Sequence, residues 1–129
     1  MNKILVEVSV GELLDKISIL EIKKEKIKDE KKLKFINDEL VILKNQLDQN
    51  VKTDDKLNGL FKSLKEINAK LWVIEDDKRL CEKNSTFSEN FIKLSRDVHF
   101  LNDDRAKIKL EINNHTGSKI KEIKEYTSY

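Results

Sequence analysis

Apolar residues recur at steps of three and four positions along most of the chain, which is the spacing of one helical face. Ser9 and Glu12 precede the first such stretch in the arrangement of a capping box, which predicts a helix start there. The first stripe consists of Leu13, Ile17, Leu20, Lys24 and Ile27, and the second of Leu33, Ile36, Leu40, Leu43 and Leu47. The two stripes are displaced by roughly 140° around one axis. Residues 10–50 are therefore expected to form either a kinked pair of helices or one long helix with two apolar faces.

Two further stripes predict two more long helices, over residues 54–83 and 86–116. Their members are Leu57, Leu60, Leu64, Ile67, Leu71, Ile74, Lys78 and Cys81 in the first, and Phe87, Phe91, Leu94, Val98, Leu101, Arg105, Ile108 and Ile112 in the second. Thr86 and Glu89 form a second capping-box sequence, and Gly117 suits a helix end. Because the connection between these helices is short, we expect them to pack side by side and antiparallel.

Together these elements predict an all-α fold, an antiparallel three- or four-helix bundle with long helices. The β-branched run at residues 3–8 adds the expectation of a short N-terminal strand. A chain of 129 residues with three glycines and no proline suits one helical domain and does not suit a turn-rich β-sandwich. The predicted single domain covers residues 1–129, with an extended lead-in at 1–9, the helix or helix pair at 10–50, helices at 54–83 and 86–116, and a C-terminal tail at 117–129.

The balance of charges narrows the choice of partners. The chain has 26 basic and 24 acidic residues and a formal net charge of +2. Only three of the basic residues are arginines: Arg79, Arg96 and Arg105. A nucleic-acid-binding protein usually concentrates positive charge and uses arginine to contact phosphates and bases. The composition therefore disfavours nucleic acid as a partner.

Cysteine and histidine usage argues against redox and metal chemistry. The single cysteine, Cys81, excludes an intrachain disulfide and lies in an apolar stripe, where a small core residue is expected. His99 and His115 are too few for a histidine-based metal site, and no phosphate-binding loop or nucleophile motif is present. Glu7 interrupts the apolar run at the N-terminus, so we expect no secretory signal there, and no apolar run approaches the ~20 residues of a membrane span. We therefore expect a cytoplasmic protein without membrane association, cofactor or metal, and catalysis is less favoured than binding.

Arg105 is the most informative polar residue, because it interrupts an otherwise apolar helical stripe. A guanidinium in a bundle core needs a carboxylate partner, since an unpaired buried charge costs several kcal/mol. Folding the chain about its predicted loops places Arg105 opposite Leu64 and makes Glu39 and Glu66 the nearest candidate partners. The favoured interpretation is structural, either an ion pair or a side chain whose charged end reaches the surface, and an arginine held in a cavity for an anion is the alternative.

Two other features have a structural and a functional interpretation. Glu12 and Asp15 share a helix face, as do the magnesium-binding carboxylates of all-helical pyrophosphatases. No second pair at suitable spacing follows, so this interpretation is disfavoured. Trp72 adjoins the stripe through Leu71 and Ile74, and we expect it in the core or at an interface rather than under a ligand.

Three stretches carry a resemblance to a known family: VSVGELLDKISILEIK at 8–23, LWVIED at 71–76 and NDDRAKIKLEIN at 102–113. In these stretches the chain resembles a small family of unknown function found in marine bacteria and their phages. The resemblance implies no catalytic residue. It directs attention to the polar residues Lys16, Glu21, Lys23, Glu75, Arg105, Lys109 and Asn113.

Two classes of function remain open at this point. The favoured one is a non-enzymatic helical module that forms a homo-oligomer, most simply a dimer, or docks on an unidentified protein. The reason is the wide apolar arc of the first helix, where Ile19 and Ile22 lie off the main stripe and need a further surface to cover them. The alternative is a small-molecule binder or enzyme with a site for an anionic ligand inside the bundle. The residues of that site are expected to be Lys16, Glu21, Arg105 and Lys109.

Overall fold

The structure is a computed structural model of the chain that describes residues 3–120 and 123–129. It has four helices, α1 (Val10–Lys26), α2 (Glu30–Asn50), α3 (Asp55–Lys83) and α4 (Glu89–Thr116). They contain 76% of the described residues, which confirms the all-α class. Residues 1 and 2 of the expected lead-in and residues 121 and 122 of the expected tail lie outside the described part.

The expected N-terminal strand is wrong for the residues that the structure describes. Residues 3–9 lead into α1 without forming a strand, and Ile4 and Leu5 are each 84% exposed. Apolar β-branched residues favour a strand only where a second strand is available to pair with them, and no other strand is formed in the described chain.

Residues 10–50 form two helices, separated by a short break. At the break Ile27 has extended backbone angles, and Asp29 accepts hydrogen bonds from the backbone N–H groups of Lys31 and Lys32 at 2.9 and 3.1 Å. This side chain caps the first turn of α2, whose N–H groups have no partner within the helix. Because the helices are separate, each one can turn its own apolar stripe to the core.

The ends of α3 and α4 depend on local caps. Asp54 accepts from the N–H of Leu57 at 2.8 Å and starts α3. Helix α4 begins at Glu89 rather than at residue 86, and the expected capping box does not form. Thr86 instead donates to the carbonyl of Asn84 within the turn that joins the helices. Gly117 ends α4 with a φ of 67°, a left-handed conformation that glycine adopts without strain.

Helix α1 occupies the centre of the packing, in contact with α2, α3 and α4, while α3 packs along α4. This arrangement covers the wide apolar arc of α1 within the chain, so that Ile22 is only 2% exposed and Ile19 is half-buried. The arc therefore does not itself require a second copy. The buried apolar core consists of Leu13, Leu14, Ile17, Leu20, Ile36, Leu40, Leu57, Leu64 and Ile112.

The side chains of α3 and α4 are buried along only part of each helix. Helix α1 has 17 residues, against 29 in α3 and 28 in α4, so it covers only part of their length. Residues 69–108 are all described, and not one of them is buried. We call residues 69–108 the arm, a pair of helices whose base still contacts the core and Asp15 through Ile108 and Arg105 and whose remainder extends past the core. None of the described helices has the combination of length and apolar composition that crossing a bilayer requires.

Candidate functional site

A group of charged and polar side chains is enclosed where α1, α3 and α4 meet. We call it the polar cluster, and it consists of Glu12, Asp15 and Ser18 on α1, Asn68 on α3, and Arg105 and Lys109 on α4. Asp15 is 1% exposed, Ser18 is fully buried and Lys109 is 7% exposed. Burying charges at this depth is unfavourable unless each has a partner, so the partners determine what the cluster can do.

Asp15 is the centre of the polar cluster. The Arg105 guanidinium donates to both of its oxygens, from Nε to Oδ1 at 2.9 Å and from Nη2 to Oδ2. Burial alone would raise the pKa of Asp15, but hydrogen bonds from Arg105 and Asn68 and the positive charges of Arg105 and Lys109 outweigh it. The pKa of this carboxyl is therefore held below its ordinary value, and Asp15 is an anion in the folded protein at neutral pH.

Lys109 joins a second carboxylate to the polar cluster. Its Nζ donates to Glu12 Oε2 at 2.8 Å and lies 3.9 Å from Asp15 Oδ2. Glu12 is thus engaged by α4 and does not complete the expected capping box at the start of α1. The other half of that box does form, because Ser9 accepts from the Glu12 N–H at 3.0 Å. The carboxylates of Glu12 and Asp15 form ion pairs with cationic side chains of α4, which is not the arrangement of a magnesium site.

Ser18 and Asn68 connect α1 to α3 in the same cluster. Asn68 donates its two amide hydrogens to Asp15 Oδ1 at 2.9 Å and to Ser18 Oγ at 2.7 Å. Ser18 in turn donates to the backbone carbonyl of Asp15 at 2.8 Å. These bonds fix the orientation of the Asn68 amide, with its carbonyl oxygen directed away from Asp15.

The N-terminus of α1 is tied to the C-terminal end of α4 next to the polar cluster. The Gly11 N–H donates to Asn113 Oδ1 at 2.7 Å, and the Val10 N–H donates to Ser118 Oγ at 3.3 Å. A Cβ at Gly11 would lie 2.6 Å from the backbone carbonyl oxygen of Lys109, so the helices approach too closely here for any larger residue. The first turn of α1 therefore obtains hydrogen-bond partners from α4 and the residues after it.

An open cleft of about 520 Å³ lies beside the polar cluster, between α1 and the base of the arm. The residues that line it are Ile19, Ile22, Asn68, Leu71, Trp72, Glu75, Asp76, Arg79, Asn102 and Arg105. Asn68 and Arg105 belong to both the cleft and the polar cluster, so the cluster forms one wall of the cleft. Within the described residues, no group of three or more histidine, cysteine, aspartate or glutamate side chains is arranged to hold a metal ion.

The structure brings together two of the four residues predicted to bind a ligand. Arg105 and Lys109 converge on Asp15, as described above. Lys16 is exposed, and Glu21 lies 3.9 Å from Lys65 on α3. The four side chains thus do not line one common cavity.

The predicted partners of Arg105 are wrong. Glu39 and Glu66 are both exposed, and the carboxylate that pairs with Arg105 belongs to Asp15. The prediction assumed that each helix packs on its neighbour in sequence. In the structure α1 contacts α4 directly, which brings Asp15 to the arginine.

Sequence reasoning missed Ser18 and Asn68, although a signal for Ser18 exists. Gly11, Asp15, Ser18 and Ile22 recur at steps of four, three and four, a stripe of mostly small or polar residues on α1. Such a stripe beside a mostly apolar one is typical of a close helix contact that contains a polar group. No comparable pattern surrounds Asn68, which follows Ile67 in an ordinary amphipathic sequence.

Comparison with known families places the chain in one of them. A family model described as a family of unknown function, DUF6165, matches residues 4–129, and the chain belongs to that family. No curated protein and no solved structure matches the chain.

Proposed function

We propose that this protein is a non-enzymatic helical module that forms a homodimer through its arm. The burial pattern carries the proposal: the apolar stripes of α3 and α4 continue along the arm, yet none of its residues is buried. Two helices alone cannot enclose such stripes, and an apolar helical face is normally covered by a further element. A second arm supplies two further helices.

One side of the arm offers a surface for that contact. We call it the arm groove, an apolar depression of about 640 Å³ that includes Ala69, Val73, Ile74, Phe100 and Leu101, together with Lys26, Lys70 and Asp97. Val73 is 48% exposed and Phe100 is 39% exposed. Large apolar side chains that share one concave surface are typical of a protein–protein contact.

The charges beside the arm groove suit contact with a second copy of the same surface. Lys70 lies on α3 and Asp97, which also pairs with Lys93 at 3.0 Å, lies on α4, so the two sides of the groove carry groups of opposite sign. In a two-fold symmetric dimer each groove faces its own copy, and Lys70 of one chain can approach Asp97 of the other. In this proposal α1–α4 form an antiparallel bundle at the core, and two arms form a second four-helix bundle between the copies.

Sedimentation equilibrium of the wild-type chain and of Val73→Glu tests the proposal. We expect the wild type to have about twice the 15.2 kDa mass of one chain, and Val73→Glu to have the mass of one chain. The substitution places a carboxylate in the apolar contact, where it has no partner and loses its hydration.

Val41→Glu is the matched control, because Val41 is 59% exposed on α2 and lies outside the arm groove. It should leave the dimer intact, and circular dichroism should show the same helix content in both variants. A wild-type chain that sediments as a monomer would overturn the proposal, as would equal dissociation by the two substitutions.

A further inference from the structure

The cleft beside the polar cluster contains an aromatic ring, apolar side chains and polar groups. Trp72 is half-buried and lines the cleft with Ile19, Ile22 and Leu71. A volume of about 520 Å³ falls in the range of small-molecule sites, which are mostly apolar with a few fixed polar groups. The cleft lies on a different side of α3 from the arm groove, since Trp72 and Val73 point about 100° apart.

Asn68 presents a fixed hydrogen-bond acceptor to this cleft. The residue is 6% exposed, and its two amide hydrogens are used by Asp15 and Ser18. Its carbonyl oxygen makes no hydrogen bond within the described residues, although the side chain lines the cleft. An oriented acceptor of this kind suits a hydroxyl or amino group of a ligand.

Three more polar side chains line the cleft. They are the indole N–H of Trp72, the side-chain amide of Asn102 and the carboxylate of Asp76. Together with Asn68 they comprise acceptors and donors around one aromatic ring. A ligand that matches them needs several hydroxyl groups at its edge and an apolar face for the ring.

The arginines of the cleft do not favour an anionic ligand. Arg105 forms its ion pair with Asp15, and Arg79 lies 3.6 Å from Glu75. The positive charge of each is thus balanced by a carboxylate of the chain itself, and Asp76 adds a negative charge. A neutral ligand meets less electrostatic opposition here than a phosphate or a dicarboxylate does.

We propose that the cleft binds a neutral hexose ring, with one face of the sugar on Trp72 and hydroxyl groups on Asn68 Oδ1, Asp76 and Asn102. A hexopyranose has an apolar C–H face and several hydroxyls at its edge, each of which both donates and accepts. This combination matches the chemistry of the cleft. The inference does not depend on the arm, because a dimer through the arm groove leaves the Trp72 side of α3 open.

Trp72 is the only tryptophan, so its fluorescence reports directly on the cleft. The experiment titrates the full chain with D-glucose, D-galactose and D-mannose, and in parallel with adenosine and inorganic phosphate. We expect a saturable change with at least one hexose and no saturable change with adenosine or phosphate. No saturable response to any of the three hexoses would overturn the proposal, as would a response only to adenosine or phosphate.

A pair of asparagine variants locates the binding. Asn102→Ala removes a side chain of the cleft outside the polar cluster and should weaken hexose binding about fivefold or more. Asn58→Ala, at an exposed position on α3, should bind as the wild type does. Equal affinities in a folded Asn102→Ala and the wild type would place the sugar elsewhere and contradict the proposal.

Discussion

Replacing Arg105 by methionine tests whether the polar cluster holds α4 against α1. The change removes the guanidinium from a carboxylate whose residue is 1% exposed, while methionine fills a similar volume. Removing one partner of a buried ion pair costs ~3–5 kcal/mol when the other charge stays unpaired. Asn68 still donates to Asp15, and Lys109 remains 3.9 Å away, so we expect a smaller loss of ~2–4 kcal/mol at neutral pH. This is a large part of the ~5–15 kcal/mol that stabilises a typical domain.

The loss of stability in Arg105→Met should depend on pH in a defined direction. In the wild type the pKa of Asp15 is below its ordinary value, so its contribution is complete above the unfolded-state pKa of ~3.9. That contribution is lost as the pH falls through the lower folded-state pKa. In Arg105→Met burial raises the pKa of Asp15 without the opposing guanidinium, so protonation relieves the unpaired charge as the pH falls. The loss of unfolding free energy caused by Arg105→Met should therefore become smaller as the pH falls from neutral to ~4.

Urea unfolding followed by circular dichroism measures these free energies in a double-mutant cycle with Asp15→Asn. In the Asp15→Asn background the Arg105→Met substitution should cost less, because no buried carboxylate is left unpaired. Arg79→Met is the matched control, since the Arg79–Glu75 pair is at the surface and is worth under ~0.5 kcal/mol. Equal losses in Arg105→Met and Arg79→Met would refute the reasoning, as would a penalty that is unchanged by Asp15→Asn.

Two further predictions concern packing, and urea unfolding checks both. Gly11→Ala should destabilise the protein by ~1–3 kcal/mol, because the added Cβ would lie 2.6 Å from the carbonyl oxygen of Lys109. Gly59→Ala should stabilise the protein by up to ~1 kcal/mol, since nothing lies within 4 Å of the new Cβ and alanine favours the helix. Similar effects of the two glycine substitutions on the free energy of unfolding would contradict the close contact of α1 with α4. Leu64→Asp should abolish cooperative unfolding by placing a carboxylate at a fully buried position, and a folded Leu64→Asp chain would show that the core is assigned incorrectly.

The helices were predictable from sequence because their signal is local. The spacing of apolar residues and caps such as Asp54 depend only on nearby positions, and the structure forms helices there. The start of α4 was predicted three residues too early, since Thr86 hydrogen-bonds within the turn instead of capping the helix. A local sequence signal does not decide between these two uses of one hydroxyl group.

The partners within the candidate site were harder to predict because they depend on which helices touch. The interruption of an apolar stripe correctly marked Arg105 as a residue that is partly enclosed and paired. Its partner required knowing that α1 lies against α4, whereas the predicted register used only neighbouring helices. Asn68 acquires its role from Asp15 and Ser18, which lie 53 and 50 positions away in the chain. Its immediate sequence neighbours do not indicate that role.

The most direct test of the proposed dimer is lysine cross-linking of the unmodified chain, in a mixture of copies with natural and heavy nitrogen isotopes. Mass spectrometry of the mixture separates links between copies from links within one copy. We predict links between copies from Lys70 to Lys70 and from Lys70 to Lys26, both beside the arm groove. Inter-copy links confined to α2, at Lys34 and Lys44, or the absence of inter-copy links at a concentration where the dimer sediments, would contradict the account.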